Sequence, residues 1–255
     1  MPSPTPFTSV VVSQIYGGAG CATANCSTFR NDFIELFNRG PSAVSLHGWS
    51  VQYASATSMT SWQVTPLTNV MLASGQYYLI QESGNANGVS PLPTPEAIGT
   101  IPMSASAGKI ALVNTTVALS GTCPTGAGVI DLVGYGTTAN CSETAPAPAP
   151  STTTAVIRNE SGCTDANNNA SDFATATPNP RNSASPINLC AGGAQTETGA
   201  VLFARTLPLF IFFFSSDRFS ARRPREGLRR WRKADAAYAP RGMHDAPPRP
   251  RGASP

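Results

Sequence analysis

Asp165 to Asp172 reads Asp-Ala-Asn-Asn-Asn-Ala-Ser-Asp, with oxygen-bearing side chains at alternate positions. Hard cations such as calcium take carboxylate and amide oxygens at that spacing. Asp165, Asn167, Asn169 and Asp172 are therefore the candidate metal ligands, and calcium is the one cofactor to consider. The run departs from a helix–loop–helix calcium loop at two places. Ala170 stands where the sharp turn wants glycine, and Ala176 where the loop closes on glutamate. The same residues also read as a chain of Asx turns, whose side-chain oxygens satisfy nearby backbone groups. In that reading Cys163 staples the run and Phe173 plugs a core.

Nucleophilic catalysis needs a histidine beside a hydroxyl or thiol and oriented by a third group. Up to Cys190 the chain has a single histidine, His47, in the turn-like setting Leu46-His47-Gly48-Trp49. Acid–base work needs paired carboxylates. Asp32 and Glu35 lie three apart on an extended run, so they point to opposite faces. Glu35 shares its face with Phe33 and Phe37. A carboxyl so flanked is either raised in pKa or paired with an arginine such as Arg39 or Arg158. No Gly-x-Ser-x-Gly elbow and no Gly-x-x-x-x-Gly-Lys-Ser/Thr phosphate loop occurs. No catalytic residue is assigned, and the chain is read as a non-enzyme.

Six cysteines, Cys21, Cys26, Cys123, Cys141, Cys163 and Cys190, lie in a polar, Thr/Asn-rich stretch. An even count in such a setting favours disulfides and an oxidising compartment. Six cysteines allow about fifteen pairings. The sequential set Cys21–Cys26, Cys123–Cys141 and Cys163–Cys190 is preferred, because each pair closes a local loop. A zinc site lacks its Cys-x-x-Cys pair and has one histidine to draw on. Free thiols are the remaining alternative.

The elements that would position these residues are strands. Apolar and β-branched runs at 10–16, 33–37, 44–53, 61–64, 76–81, 109–113, 129–135 and 154–158 are separated by Gly/Asn/Pro-rich turns. The Ala-Pro repeat at 145–150 reads as a stiff loop inside the domain. No amphipathic helix intervenes. With 22 Gly, 23 Pro and 12% charged residues among 255, the composition suits an all-β sandwich.

One stretch says more than the rest: Asn31 to Tyr53, NDFIELFNRGPSAVSLHGWSVQY. It gives Phe-Ile-Glu-Leu-x-Asn-x-Gly followed by Val-x-Leu-x-Gly-Trp-x-Val. At these residues the sequence resembles a lamin tail domain, and the resemblance extends over about 9–190. It implies an immunoglobulin-like β-sandwich, a non-catalytic module, and no catalytic role for the matching Glu35. The segment Thr177-Pro178-Asn179-Pro180-Arg181-Asn182 is similar to the Pro-rich close of bacterial members. The core is expected from Val11, Ile34, Leu36, Leu46, Trp49, Val51, Leu79, Ile110, Leu112, Ile130, Leu132 and Phe173.

The domains read as a Pro/Thr leader at 1–7, a sandwich at 8–190 and a tail at 191–255. Through Cys190 the chain has 5 Lys/Arg against 9 Asp/Glu, a balance of −4; beyond it, 12 against 5, a balance of +7. The tail holds an apolar Leu207–Phe214 run, too short to span a membrane, and then a basic Pro/Arg-rich end. It reads as a basic membrane- or nucleic-acid-binding end, or as a shifted reading frame in GC-rich DNA, disordered if translated. Five scattered cations and a negative balance make the domain a poor nucleic-acid groove. Met1 to Ser9 lacks the basic start and apolar centre of a secretory signal, so the cysteines imply a true start upstream and an extracellular or cell-surface place. The expected partner is an unidentified protein or cell-surface ligand. The resemblance implies a secreted binding or tethering module; the alternative is the accessory domain of an extracellular nuclease or phosphatase whose catalytic part is missing from this chain.

Overall fold

The computed structural model describes residues 8–191. The leader and tail expectations fall outside that range. Twelve strands occur among the described residues: β1 (Val10–Tyr16), β2 (Asn31–Asn38), β3 (Val44–Ser45), β4 (Ser50–Ser55), β5 (Gln63–Pro66), β6 (Met71–Leu72), β7 (Tyr77–Gly84), β8 (Ala97–Ile98), β9 (Gly108–Val113), β10 (Val129–Tyr135), β11 (Ala155–Arg158) and β12 (Phe173–Ala176). A 3-10 turn at Glu160–Gly162 and a single helical turn, α1 (Asn169–Asp172), lie between β11 and β12.

Two sheets form the immunoglobulin-like sandwich. One has six strands in the order β12-β11-β1-β2-β7-β8, and the other four in the order β10-β9-β4-β5. β3 and β6 pair separately at the rim. Every pairing is antiparallel except β7 with β8. The expected second strand of the 44–53 run divides in two because Gly48 takes a left-handed φ of +78°, which favours glycine. Trp49 then enters β4 half-buried against the core.

Alternation predicts which residues face inward, and β2 obeys it. Ile34 and Leu36 join the core between the sheets, while Phe33 and Phe37 enter two clusters on the other face. β1 starts in the same way, with Val10 and Val12 inward. Its register against β2 then shifts between Val12 and Gln14. The bulge lets Ile15 face inward as well. Ile34, Leu36, Leu46, Val51, Ile110, Leu112 and Phe173 lie in the central core as expected, with Trp49 and Ile130 packed against it. Val11, Leu79 and Leu132 are buried too, but on the outer faces. Period-two patterning assumes one wet face; here the central strands β1, β2, β4 and β9 are covered on both faces, so their outward residues are also dry.

Two coverings matter. Trp62, Ala111, Val113 and Leu132 pack beneath loops that carry Leu119 and Cys141. On the six-stranded sheet, residues 177–190 cross back over β1, β2 and β7. The main-chain N–H and C=O of Asn179 bond the Gln14 amide at 2.8 and 2.9 Å. Ser183 donates to Glu96, and the Asn188 N–H to the Gly75 carbonyl. The crossing ends at a bridge between Cys190 and Cys163.

Candidate functional site

Charged side chains in this domain are turned inward. Of the 14 Asp, Glu, Lys and Arg up to Cys190, seven are buried, five are half-buried, and Arg30 and Glu160 alone are exposed. The buried ones collect around four centres.

Arg158, the last residue of β11, is fully buried. Its Nε donates to the Val12 carbonyl at 2.8 Å and its Nη2 to Asp131 Oδ2 at 2.8 Å. Its Nη1 reaches the Thr164 carbonyl at 3.2 Å, Asp165 Oδ1 at 3.4 Å and Asp172 Oδ2 at 3.8 Å. Its guanidinium lies over the Phe173 ring, 4.5 Å from the centroid. Asp131 Oδ2 also accepts the Val12 N–H at 2.7 Å. Arg158 and Asp131 therefore tie β1 of one sheet to β10 of the other. Burial pushes the Asp131 carboxyl up and Arg158 pulls it back. Glu143 rises to about 8, first through burial and then through the charges of Asp131 and Asp165.

This centre takes two of the four expected calcium ligands. Asp165 and Asp172 meet Glu143, with ligand oxygens within 4.8 Å of one another. Asn169 turns elsewhere: its Oδ1 accepts from the Gly134 and Glu143 N–H groups, and its Nδ2 donates to the Leu132 carbonyl and Glu143. Asn167 is exposed at φ +54°. Asp165 also pairs with Arg39 at 3.0 Å. Asp172 Oδ2 accepts the Ala166 and Asn168 N–H groups, and Asp165 Oδ1 that of Asn167. The positive charge at the centre of this oxygen cluster is supplied by Arg158.

Glu35 forms the second centre. It accepts from Ser13 Oγ at 2.5 Å and Gln14 Nε2 at 3.4 Å. Arg181 gives it three bonds, from Nη2 at 2.7 Å, the main-chain N–H at 2.7 Å and Nε at 3.1 Å. The partner is thus neither Arg39 nor Arg158, but an arginine 146 residues away carried in by the crossing segment. Arg181 also lies 3.8 Å from the Tyr77 ring centroid and donates to its hydroxyl. Burial raises Glu35, and Arg181 and Ser13 oppose the rise.

Lys109 is the third centre. Its ammonium donates to the carbonyls of Ser58 and Thr122 and to Asn140 Oδ1, at 2.7, 2.9 and 2.7 Å. It sits inside the covering of the four-stranded sheet. Asp32 and Glu82 form the fourth centre and accept backbone N–H groups. His47 is exposed at the turn before β4.

The cysteines pair as Cys21–Cys26, Cys123–Cys141 and Cys163–Cys190, with Cα–Cα distances of 6.1, 5.2 and 5.5 Å. Each bridge closes a loop that covers a sheet or leaves a strand. None of these pairs sets a thiol beside a base.

Sequence reasoning missed Asp131, Glu143 and Arg181 as partners. Asp131 had a signal: a lone acid in the apolar strand Val-Ile-Asp-Leu-Val. Glu143 and Arg181 had none, because their neighbours are brought to them by long loops.

The lamin tail domain family model matches residues 3–137. The chain belongs to the lamin tail domain family. β11, β12 and the crossing segment, with Arg158, Asp165, Asp172 and Arg181, lie beyond the matched residues. No curated protein matches the chain. Among solved structures it is similar to a DUF4876 family protein from Bacteroides thetaiotaomicron. The two are 14% identical, with 71% of this chain and 74% of that chain covered and a TM-score of 0.44.

Proposed function

We propose that this lamin tail domain is a secreted, non-catalytic binding or tethering module, and that its partner surface is uncharged and polar. The carrying observation is the inward turn of the charges. Among the described residues the exposed ions are Arg30 and Glu160, and such a surface steers neither polyanions nor acidic membranes. Association through such a surface rests on hydrogen bonds and shape. Three disulfides fit an oxidising, extracellular place. The carboxylates a hydrolase would use are engaged: Glu35 by Arg181, and Asp131 and Asp165 by Arg158.

A second reading is favoured by the family membership together with the basic change of composition after Cys190. In it the domain is the accessory part of an extracellular nuclease or phosphatase whose catalytic part is absent here. Two measurements on the full chain test the pair. Hydrolysis of phosphodiester and phosphomonoester substrates with magnesium, calcium or zinc is expected to be nil; activity lost on Glu35→Gln would overturn the non-catalytic reading. Retention on intact cells, with heparin present to occupy the basic end, is expected to hold from low to high salt. Retention that collapses with salt would mean an ionic partner.

A further inference from the structure

Asp32 on β2 and Glu82 on β7 are 3% and 1% exposed, and neither enters an ion pair among the described residues. Both hold one segment, Gly99–Ser104, which leads from β8 to β9. Glu82 Oε2 accepts the Ile101 N–H at 2.9 Å, and Asp32 Oδ2 the Met103 N–H at 2.7 Å. Asp32 Oδ1 accepts the Ala19 N–H at 2.7 Å. The segment's far end rests on phenols: the Ser104 N–H donates to Tyr53, and the Tyr135 hydroxyl donates to the Ser104 carbonyl.

The groups facing these two acids are therefore backbone amides, two tyrosines and, from β5, Thr65. Buried Glu82 Oε1 and Thr65 Oγ1 have no hydrogen-bond partner. A Cβ on Gly99 would lie 2.2 Å from both Glu82 Oε2 and Thr65 Oγ1, so the absent side chain leaves the space in which they converge. The Thr65 hydroxyl is the side-chain donor within reach of Glu82 there, and it opposes the rise that burial imposes. Burial raises Asp32 to about 6 and Glu82 to about 7, with the charge of Asp32 adding to the rise at Glu82. The cost of drying two like charges thus exceeds what stronger acceptance from the amides returns.

We propose that Gly99–Ser104 is a proton-operated strap, fastened when Asp32 and Glu82 are neutral and loosened when both are ionised. Ionisation draws water toward the carboxylates. A cavity of about 290 Å³ bordered by Gly18, Ala19, Asp32, Ser83, Pro102 and Met103 is the way in. β8 covers the edge of β7 through the register Ile80↔Ala97 and Gln81↔Ile98. Loosening the strap therefore frees that edge for pairing with another strand.

Hydrogen exchange of the full chain, read by mass spectrometry at pH 5.5 and 8.5 and corrected for intrinsic rates, tests this. Peptides over 97–106 are expected to lose protection at the higher pH by roughly tenfold more than peptides over β9, one pKa unit being one factor of ten. Glu82→Gln is expected to abolish most of that excess. A loss no larger than that of β9, or one untouched by Glu82→Gln in a variant with wild-type circular dichroism, would overturn the strap. Should the variant fail to fold, the wild-type profile decides: an excess loss centred between pH 6 and 8 supports it, and none overturns it.

Discussion

At the residue scale, Arg158 is one of two fully buried cations among the described residues, Lys109 being the other. Arg158 serves Asp131, Asp165, Asp172 and two backbone carbonyls. Removing one partner of a buried ionic cluster costs more than replacing the whole cluster, because it strands charge in a dry place. Arg158→Met is therefore expected to cost about 3–5 kcal/mol, seen as a lower urea midpoint. Adding Asp131→Asn should return part of the loss. A single-variant loss under 1 kcal/mol would show that water or Arg39 replaces the guanidinium. The same geometry bears on calcium. Arg158 already provides the positive charge, so millimolar calcium and excess chelator are expected to leave the melting temperature unchanged. A rise with calcium would mark a cation held by Glu143, Asp165 and Asp172.

At the scale of elements, the segment 177–190 is what turns a sheet face into an interior. Arg181 anchors its middle on Glu35 and the Cys163–Cys190 bridge its end. Replacing both cysteines by serine is expected to cost about 3 kcal/mol, as closing a loop of a few tens of residues does, measured by chemical denaturation. A much smaller loss would mean that Arg181 and Asn179 hold the segment unaided. The same element shows what was legible in the sequence. β1, β2, β4, β9 and β10 announce themselves through Val-, Ile- and aromatic-rich runs. β6, β8 and β12 are two to four residues long, too short for a period to show. Glu35 was legible as a carboxyl among aromatics, yet its partner was not, since contact across 146 residues is set by the path of a Pro-rich loop without a period. The Asn/Asp run was legible as an oxygen cluster. Its turn chemistry followed from Asx geometry, but the guanidinium at its centre came from another strand.

At the scale of the molecule, burying acids reverses the usual response to pH. Asp32, Glu82 and Glu143 have folded values of about 6, 7 and 8, against ordinary values of 3.8, 4.5 and 4.5. Between those limits the folded chain keeps protons that the unfolded chain has released. The stability they contribute is full below the ordinary values and is lost as pH rises through the folded ones. The melting temperature is therefore expected to fall steadily from pH 5 to pH 8.5, and a rise over that range would refute these burial effects. Few exposed ions among the described residues and acid-favoured stability belong together: both come from folding the ions inside. The Cys163–Cys190 bridge has a separate, mechanical consequence. Load applied from beyond residue 190 enters the fold at Cys163, beside the buried Arg158, and bypasses the hydrogen bonds of the crossing segment. The loop between the two cysteines, 27 residues apart in sequence, cannot lengthen while the bond holds. Once the bond is reduced, a pull strong enough to strip β12 and the crossing segment should release roughly 90 Å of slack at about 3.4 Å per residue, which makes the bridge a covalent stop for a chain pulled from that end.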